Sequence, residues 1–462
     1  MQWTEFMLQL IASMVLLCGE ILYLLQDFKR GVLAGILVLG LTADVLPWHF
    51  LPISGVATIA FLVFCAFAII YVIRPQYSKH KNIEAIVLSR GYLVLLFCFV
   101  AIALLYVLAA GENAQYGLDK TILVILRGVI PVFVFRLLIQ ESRDFKTVYY
   151  TFIAISVLGT AFLLSADVTQ AYTVSLDQVN TIVAARIVGI GAVLLGTFLL
   201  FTDKISWIHY TVFTPLFFVL IIGTLLTGSR GPLTGILVVL SLVILLSGQF
   251  QLWGRSTFLF AGIFFATLLL TFFADWSLID TLSVLGQNRI VSTILTLNFE
   301  RIDSGRFELY EIAIDAITKS TAIGIGTGGF GNVMGGYIGR IYPHNIFLEV
   351  TLEQGLIGLS ILLIIVATTF YRCVRLLRDR DANIYLKCVP SVWIYTLYNA
   401  QFSGDIGANY QFWAVGGLVW IAHALALATS RMVQEQESVI INGQLLQCST
   451  NKHPDAIKLV RF

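Results

Sequence analysis

The sequence predicts an all-α, polytopic transmembrane helical bundle of about 12–14 spans with one large outward, partly helical loop. Three observations carry this. Of the 462 residues, 58% are hydrophobic and 12% charged, and the mean hydropathy is +0.87. A soluble domain has roughly 45–50% apolar and about 25% charged residues, so a soluble class is excluded; so is disorder, which needs low hydrophobicity and high charge. The apolar residues form continuous runs rich in Leu, Ile, Val and Phe, without the alternate-residue pattern of an outer-membrane barrel. Finally, Lys and Arg gather in alternate connecting loops. The formal charge of +2 gives no reason to expect a nucleic-acid partner.

Each span needs about 20 mostly apolar residues to cross about 30 Å of hydrocarbon. Such runs lie at 8–25, 31–47, 52–73, 91–110, 121–139, 147–165, 184–202, 208–227, 231–247, 257–274, 345–370, 388–403 and 411–429. The first is too long, and too weakly basic in front, for a cleaved signal peptide. Orientation follows from the loops. Lys29, Arg30, Arg74, Lys79, Lys81, Arg90, Arg143, Lys146, Lys204, Arg255 and the cluster from Arg372 to Lys387 fall on one side, as does the tail. The short loops of the other side hold only Lys120 and Arg230. The basic side is expected to be cytoplasmic. The chain is thereby expected to divide into an N-terminal transmembrane bundle (1–207), a membrane domain (208–429) containing the outward loop 275–343, and a loosely ordered cytoplasmic tail (430–462). Cys18, Cys65, Cys98, Cys373, Cys388 and Cys448 all lie outside the outward loop, so no structural disulfide is expected there.

The loop 275–343 is too long for a bare connector, which marks a functional element. Within it, 306–319 places Phe307, Tyr310, Ile314 and Ile317 at helical spacing, an amphipathic helix expected to lie on the membrane or the bundle mouth. Gly-rich chain follows over 324–336 and reads as a tight, mobile loop or one that approaches a bound head group closely. The loop ends at Tyr342-Pro343-His344-Asn345, where the eleventh run begins.

His344 titrates near neutrality when unperturbed, so it is a candidate general base for a hydroxyl proton; taken alone it reads sooner as a residue that caps or solvates a helix start. Asn345, Glu349 and Glu353 follow on one helical stripe. Carboxylates inside a span are costly unless paired or wet, and the stripe therefore suggests a hydrated cavity opening outward. Arg230 lies in the turn 227–232, Arg186 near the outer end of the seventh run, and Arg306 at the head of the amphipathic helix; Arg289, Arg301 and Arg340 are further candidates. Guanidinium presents a fixed fork of donors that matches phosphate oxygens. Each arginine alone pairs as well with a nearby acid; gathered around a cavity they point to phosphate or pyrophosphate.

Other patterns are discounted. Residues 324–329 fit G-x-G-x-x-G, but no βαβ unit surrounds them. Asp379-Arg380-Asp381 fits D-x-D, yet alternating charge in an arginine-rich loop is an ordinary solvated face. No His, Cys and carboxylate cluster has metal-ligand spacing, so neither metal nor cofactor is expected.

The sequence His344-Asn345, nine residues, then Gly355-Leu356-Ile357-Gly358 resembles the H-N-x9-G-x-x-G motif of bacterial O-antigen ligases and the related O-antigen and exopolysaccharide polymerases. The turn with Ser229-Arg230, the start Arg306-x-x-x-Tyr310 and the loop Gly324-Ile325-Gly326 resemble other blocks of that family, in the same order. The likeness covers about residues 225–370, with Tyr310 where Trp is often found. The resemblance implies a membrane glycosyltransferase of the bacterial inner membrane, with its active site facing the periplasm. It would transfer a glycan from undecaprenyl pyrophosphate to lipid A–core, or to a growing lipid-linked polysaccharide, without metal. His344 would be the catalytic base. Arg230 and Arg306, with Arg186, would hold pyrophosphate, supported by Asn345, Glu349, Glu353 and Tyr310. Inversion at the anomeric carbon is expected. Partners would be the lipid-linked donor, the saccharide acceptor, membrane lipids and other polysaccharide-assembly proteins. A secondary transporter or flippase for a lipid-linked or anionic substrate is the alternative, since Arg127, Arg136, Arg186 and Glu349 would also suit a translocation path.

Overall fold

The computed structural model describes residues 27–42, 63–68, 88–165, 181–202, 207–227, 229–249, 252, 254, 257, 306–320 and 323–450. Among the described residues the protein is helical without strands. Five stretches are long and apolar enough to cross a membrane: Arg90–Leu138, Ile182–Phe201, Arg230–Ser247, Ile346–Arg378 and Tyr410–Arg431. The expected run 8–25, all of 257–274 but its first residue, most of 52–73, and loop residues 275–305 with Arg289 and Arg301 lie outside the described residues.

In chain order the helices are α1 (Phe28–Thr42), α2 (Arg90–Val107), α3 (Ala114–Val124), α4 (Ile130–Leu138), α5 (Asp144–Ser165), α6 (Thr181–Phe201), α7 (Trp207–Leu226), α8 (Arg230–Ser247), α9 (Arg306–Ser320), the short α10 (Phe330–Val333), α11 (Ile346–Arg378), α12 (Ile384–Asn399) and α13 (Tyr410–Thr450). Composition explains the arrangement. The apolar window of α6 is 89% buried against 44% for α8 and α11. Helix α6 is thus the central one, apolar all round, and it packs against α5, α7, α8 and α12. The outer helices bury one face and leave residues such as Leu105, Leu245 and Leu363 exposed, as a surface bathed in lipid requires. One core takes in side chains from α1 to α8 and from α11 to α13, including Phe99, Val193, Phe217, Leu240, Trp393 and Trp413, while α9 and α10 pack in a separate cluster with Leu352.

Helix α13 continues as far as Thr450, well past the last apolar run, so the tail expected to be loose from 430 begins as helix. Lys120, expected in a short loop, lies within α3. Helices α6, α8, α11 and α13 begin at one end of the bundle, where α2 and α12 finish. At the other end Lys29 pairs with Asp144 at 2.6 Å, and Arg378 Nε donates to Leu246 O at 3.0 Å. Arg30, Lys146 and Arg375 also lie there.

Candidate active site

The site is organised by the turn between α12 and α13, residues 400–409. Ile346 N, at the head of α11, donates to Ala400 O at 3.1 Å. Tyr310 OH of α9 donates to Gln401 O at 3.3 Å. Arg186 of α6 donates to Asn409 Oδ1 (3.1 Å), Asn399 O (3.0 Å) and Ser403 O (2.5 Å). Gly231, next to Arg230, lies beside Asn399 and Phe402, and Thr234 Oγ1 is 2.9 Å from Tyr398 OH. One turn therefore gathers the heads of α6, α8, α9 and α11.

Backbone demands explain the H-N-x9-G-x-x-G pattern. Asn345 is extended (φ −141°, ψ 120°), and its Oδ1 accepts from Phe347 N and Leu348 N at 3.0 and 3.1 Å. It satisfies two of the amides that every helix start leaves open. His344 just before it has φ 57°, the one non-glycine residue with positive φ among the described residues. A left-handed residue with a Cβ costs on the order of 1–2 kcal/mol, so the surrounding contacts hold it there. Gly355 (φ 64°, ψ −160°) breaks α11 after nine residues. The break frees the carbonyls of Leu352 and Glu353, and these accept from Ile325 N and Gly326 N, each at 2.9 Å. Unpaired carbonyls would be expensive at membrane depth.

The start of the Gly-rich segment is thus the backbone partner of the kink. A Cβ on Gly324 (φ 87°) would lie 2.5 Å from Gly355 N. Thr327, fully buried, donates from its backbone to Tyr106 O and from its hydroxyl to Ala103 O at the end of α2. Gly324, Gly326 and Gly328 serve close contact between backbones.

His344 packs at a tilt against Tyr342, with ring centroids 4.4 Å apart and planes inclined at 54°, and its Nδ1 is buried without a hydrogen-bond partner. Burial lowers its pKa to about 4, reinforced by the positive charges of Arg306, Arg340 and Arg186, while Asp405 opposes the shift. The imidazole is therefore neutral at physiological pH. Arg230 and Arg306 are half-buried at the heads of α8 and α9. Asp405 accepts from Tyr116 OH at 2.8 Å and from Ala408 N at 2.7 Å, and pairs with Arg340 Nε at 3.3 Å.

Several expectations change. Glu349 and Glu353 do not line an open wet cavity: both are fully buried and grip Lys120 Nζ, at 2.8 and 2.6 Å. A carboxylate pair in the bundle is tolerable because an ammonium lies between its members. Arg186 is only 5% exposed and its terminal nitrogens are engaged by the turn, so it braces the turn and presents no open fork. In α9 the expected stripe is divided between an exposed and a packed side. Phe307 and Ile314 are exposed, whereas Leu309, Ile312, Ala313, Ala316 and Ile317 meet Phe330 and Leu352. Asp379 Oδ1 accepts from Asp381 N and Ala382 N, so the D-x-D residue caps a turn. Sequence reasoning missed Tyr116, Lys120, Tyr342 and Asp405. Polar residues clustered in a short connector, Gly404-Asp405 and Asn409, were the available signal.

The family comparison matches residues 215–363 to the family described as O-antigen ligase. Residues 215–363 are thus similar to the O-antigen ligase family, which supports the resemblance to the ligase and polymerase superfamily. No curated protein matches the chain. The matched stretch contains Arg230, Arg306, Tyr310, His344, Asn345, Glu349 and Glu353, whereas Tyr116, Lys120, Arg186 and the turn 400–409 lie on either side of it.

Proposed function

We propose that this O-antigen ligase-type membrane protein transfers a glycan from undecaprenyl pyrophosphate to a saccharide acceptor. The acceptor is lipid A–core or a growing lipid-linked polysaccharide, and the reaction runs at the periplasmic face of the bacterial inner membrane. The observation that carries the reading is the gathering of a neutral imidazole and arginine side chains around one turn at one end of the bundle. The bundle's opposite end holds Lys29, Arg30, Lys146, Arg375 and Arg378, which the positive-inside rule assigns to the cytoplasm.

In the proposed reaction an acceptor hydroxyl gives its proton to His344 while its oxygen bonds to the anomeric carbon. The bond from that carbon to the pyrophosphate oxygen breaks, and undecaprenyl pyrophosphate leaves with the electron pair. Arg230 and Arg306 stabilise its charge with planar donor forks. Attack opposite the leaving group inverts the anomeric centre. Asn345 caps the helix behind the base, Glu349 and Glu353 hold Lys120 beneath it, and Tyr310 fastens α9 to the turn. The exposed Phe307 and Ile314 of α9 suit contact with lipid at the bundle mouth.

The test is the purified protein in detergent with a lipid-pyrophosphate glycan and an acceptor. Coupled product is expected. His344→Ala is expected to lower its rate about 10²-fold or more with expression and thermal unfolding unchanged; retained turnover removes His344 from the mechanism. Laddered glycan on the carrier identifies a polymerase, and glycan moved to lipid A–core a ligase. No coupled product at all would favour the transporter reading.

A further inference from the structure

Arg340 differs from the other arginines near His344. Its side chain is 58% exposed, yet one edge is anchored: Nε faces Asp405 Oδ2 at 3.3 Å, and Asp405 is itself only 3% exposed. That carboxylate is held in turn by the hydroxyl of Tyr116 and the amide of Ala408. The guanidinium carbon lies 5.7 Å from the centre of the Tyr342 ring, and the same ring lies 4.4 Å from the imidazole of His344. One aromatic ring therefore touches both the proposed base and the arginine. A guanidinium fixed through Nε keeps its two terminal nitrogens as a fork at its exposed edge. A pre-oriented fork is suited to a planar or tetrahedral oxyanion, because little side-chain freedom is lost on binding.

We propose that Arg340 is an acceptor-binding residue whose fork takes a carboxylate or phosphate substituent of the acceptor saccharide. The inference rests on the glycosyl-transfer reading above. In an inverting displacement the base and the leaving pyrophosphate lie on opposite sides of the anomeric carbon, and the base meets the acceptor hydroxyl. Arg340 is joined to that base through Tyr342, so an anion on its fork belongs to the molecule that brings the hydroxyl. Arg186 cannot supply this contact, since its terminal nitrogens are engaged by Asn399, Ser403 and Asn409.

The experiment compares acceptors in the detergent assay: one bearing a uronate carboxylate, one bearing a phosphate, and each with that group reduced or removed. The readout is the ratio of kcat/KM for the acidic over the matched neutral acceptor, which a general loss of folding or of base strength leaves unmoved. The wild type is expected to prefer one acidic acceptor. Arg340→Gln is expected to lower the ratio about tenfold or more through acceptor KM, with donor KM unchanged, and Arg340→Lys to restore only part of it. The uronate and phosphate arms show which oxyanion the fork takes. No acidic preference in the wild type, an unchanged ratio in Arg340→Gln, or a loss confined to donor KM overturns the assignment. If His344→Ala turns over normally or the wild type makes no product, it is the glycosyl-transfer reading that fails.

Discussion

Lys120, Glu349 and Glu353 lie beneath the head of α11, whereas His344, Arg306 and Arg340 stand on its rim, and the two groups use charge in opposite ways. The lower group is sealed: all three side chains are at most 1% exposed, and the ammonium bridges both carboxylates. The rim is partly open, and Arg340 keeps more than half its side-chain surface in solvent. The difference teaches that ionisable groups deep in a membrane bundle are not by themselves a site. Pairing and burial turn them into joints, and at the margin Arg340, anchored through Nε and largely exposed, is left for a ligand. Arg186 and Arg340 repeat the lesson within one residue type.

The largest expected effect comes from breaking the sealed group. Lys120→Met leaves two buried carboxylates without a counter-charge, a change that typically costs about 3–5 kcal/mol. Thermal unfolding in detergent is expected to show that loss. The triple variant Lys120→Met, Glu349→Gln, Glu353→Gln is expected to recover much of it, because no charge is then stranded. A single variant as stable as the wild type would mean that the three groups do not form the joint described.

The rim is expected to respond in activity with little change in folding. Arg230→Lys and Arg306→Lys keep the charge but lose the planar fork. Donor KM is expected to rise about tenfold in each, the equivalent of about 1.4 kcal/mol, with unfolding unchanged. Unaltered donor kinetics would separate these arginines from the pyrophosphate.

How much of this was legible depends on the range of the interaction. Local features were readable. The span at 184–202 became Thr181–Phe201, and 231–247 became Arg230–Ser247, because apolar length alone specifies a span. His344, Asn345 and Gly355 stood together only through the family resemblance, and the structure supplies the reason: a helix cap and a helix break are demands a short stretch makes of its own residues. The sealed joint was invisible: Lys120 lies 229 and 233 residues from its partners, and Tyr116 lies 289 from Asp405. Which apolar side chains of α9 are packed was not legible, because both of its faces carry them. What decided it was which of them meets Phe330 and Leu352, and that is a fact of packing.

The smallest effect is a shift in pH dependence, and it tests whether rim and joint are electrically distinct. With a pKa near 4 in the folded protein and 6.5 as the ordinary value, His344 is neutral through the physiological range. The acid limb of kcat/KM for transfer is then expected near pH 4, since the free enzyme's base sets it. Removing a positive neighbour with Arg306→Gln should move that limb upward, but only part of the way to 6.5, because burial is the larger cause. Folding follows the same group with a defined sign. Between pH 4 and 6.5 the unfolded chain binds the proton and the folded one does not, so His344 lowers stability as pH falls through that window and has no effect above it. In His344→Gln that slope should flatten while the Lys120 joint stays intact. If the slope is unchanged, the acid sensitivity belongs to other groups and the imidazole is not held neutral by its arginine neighbours and its burial.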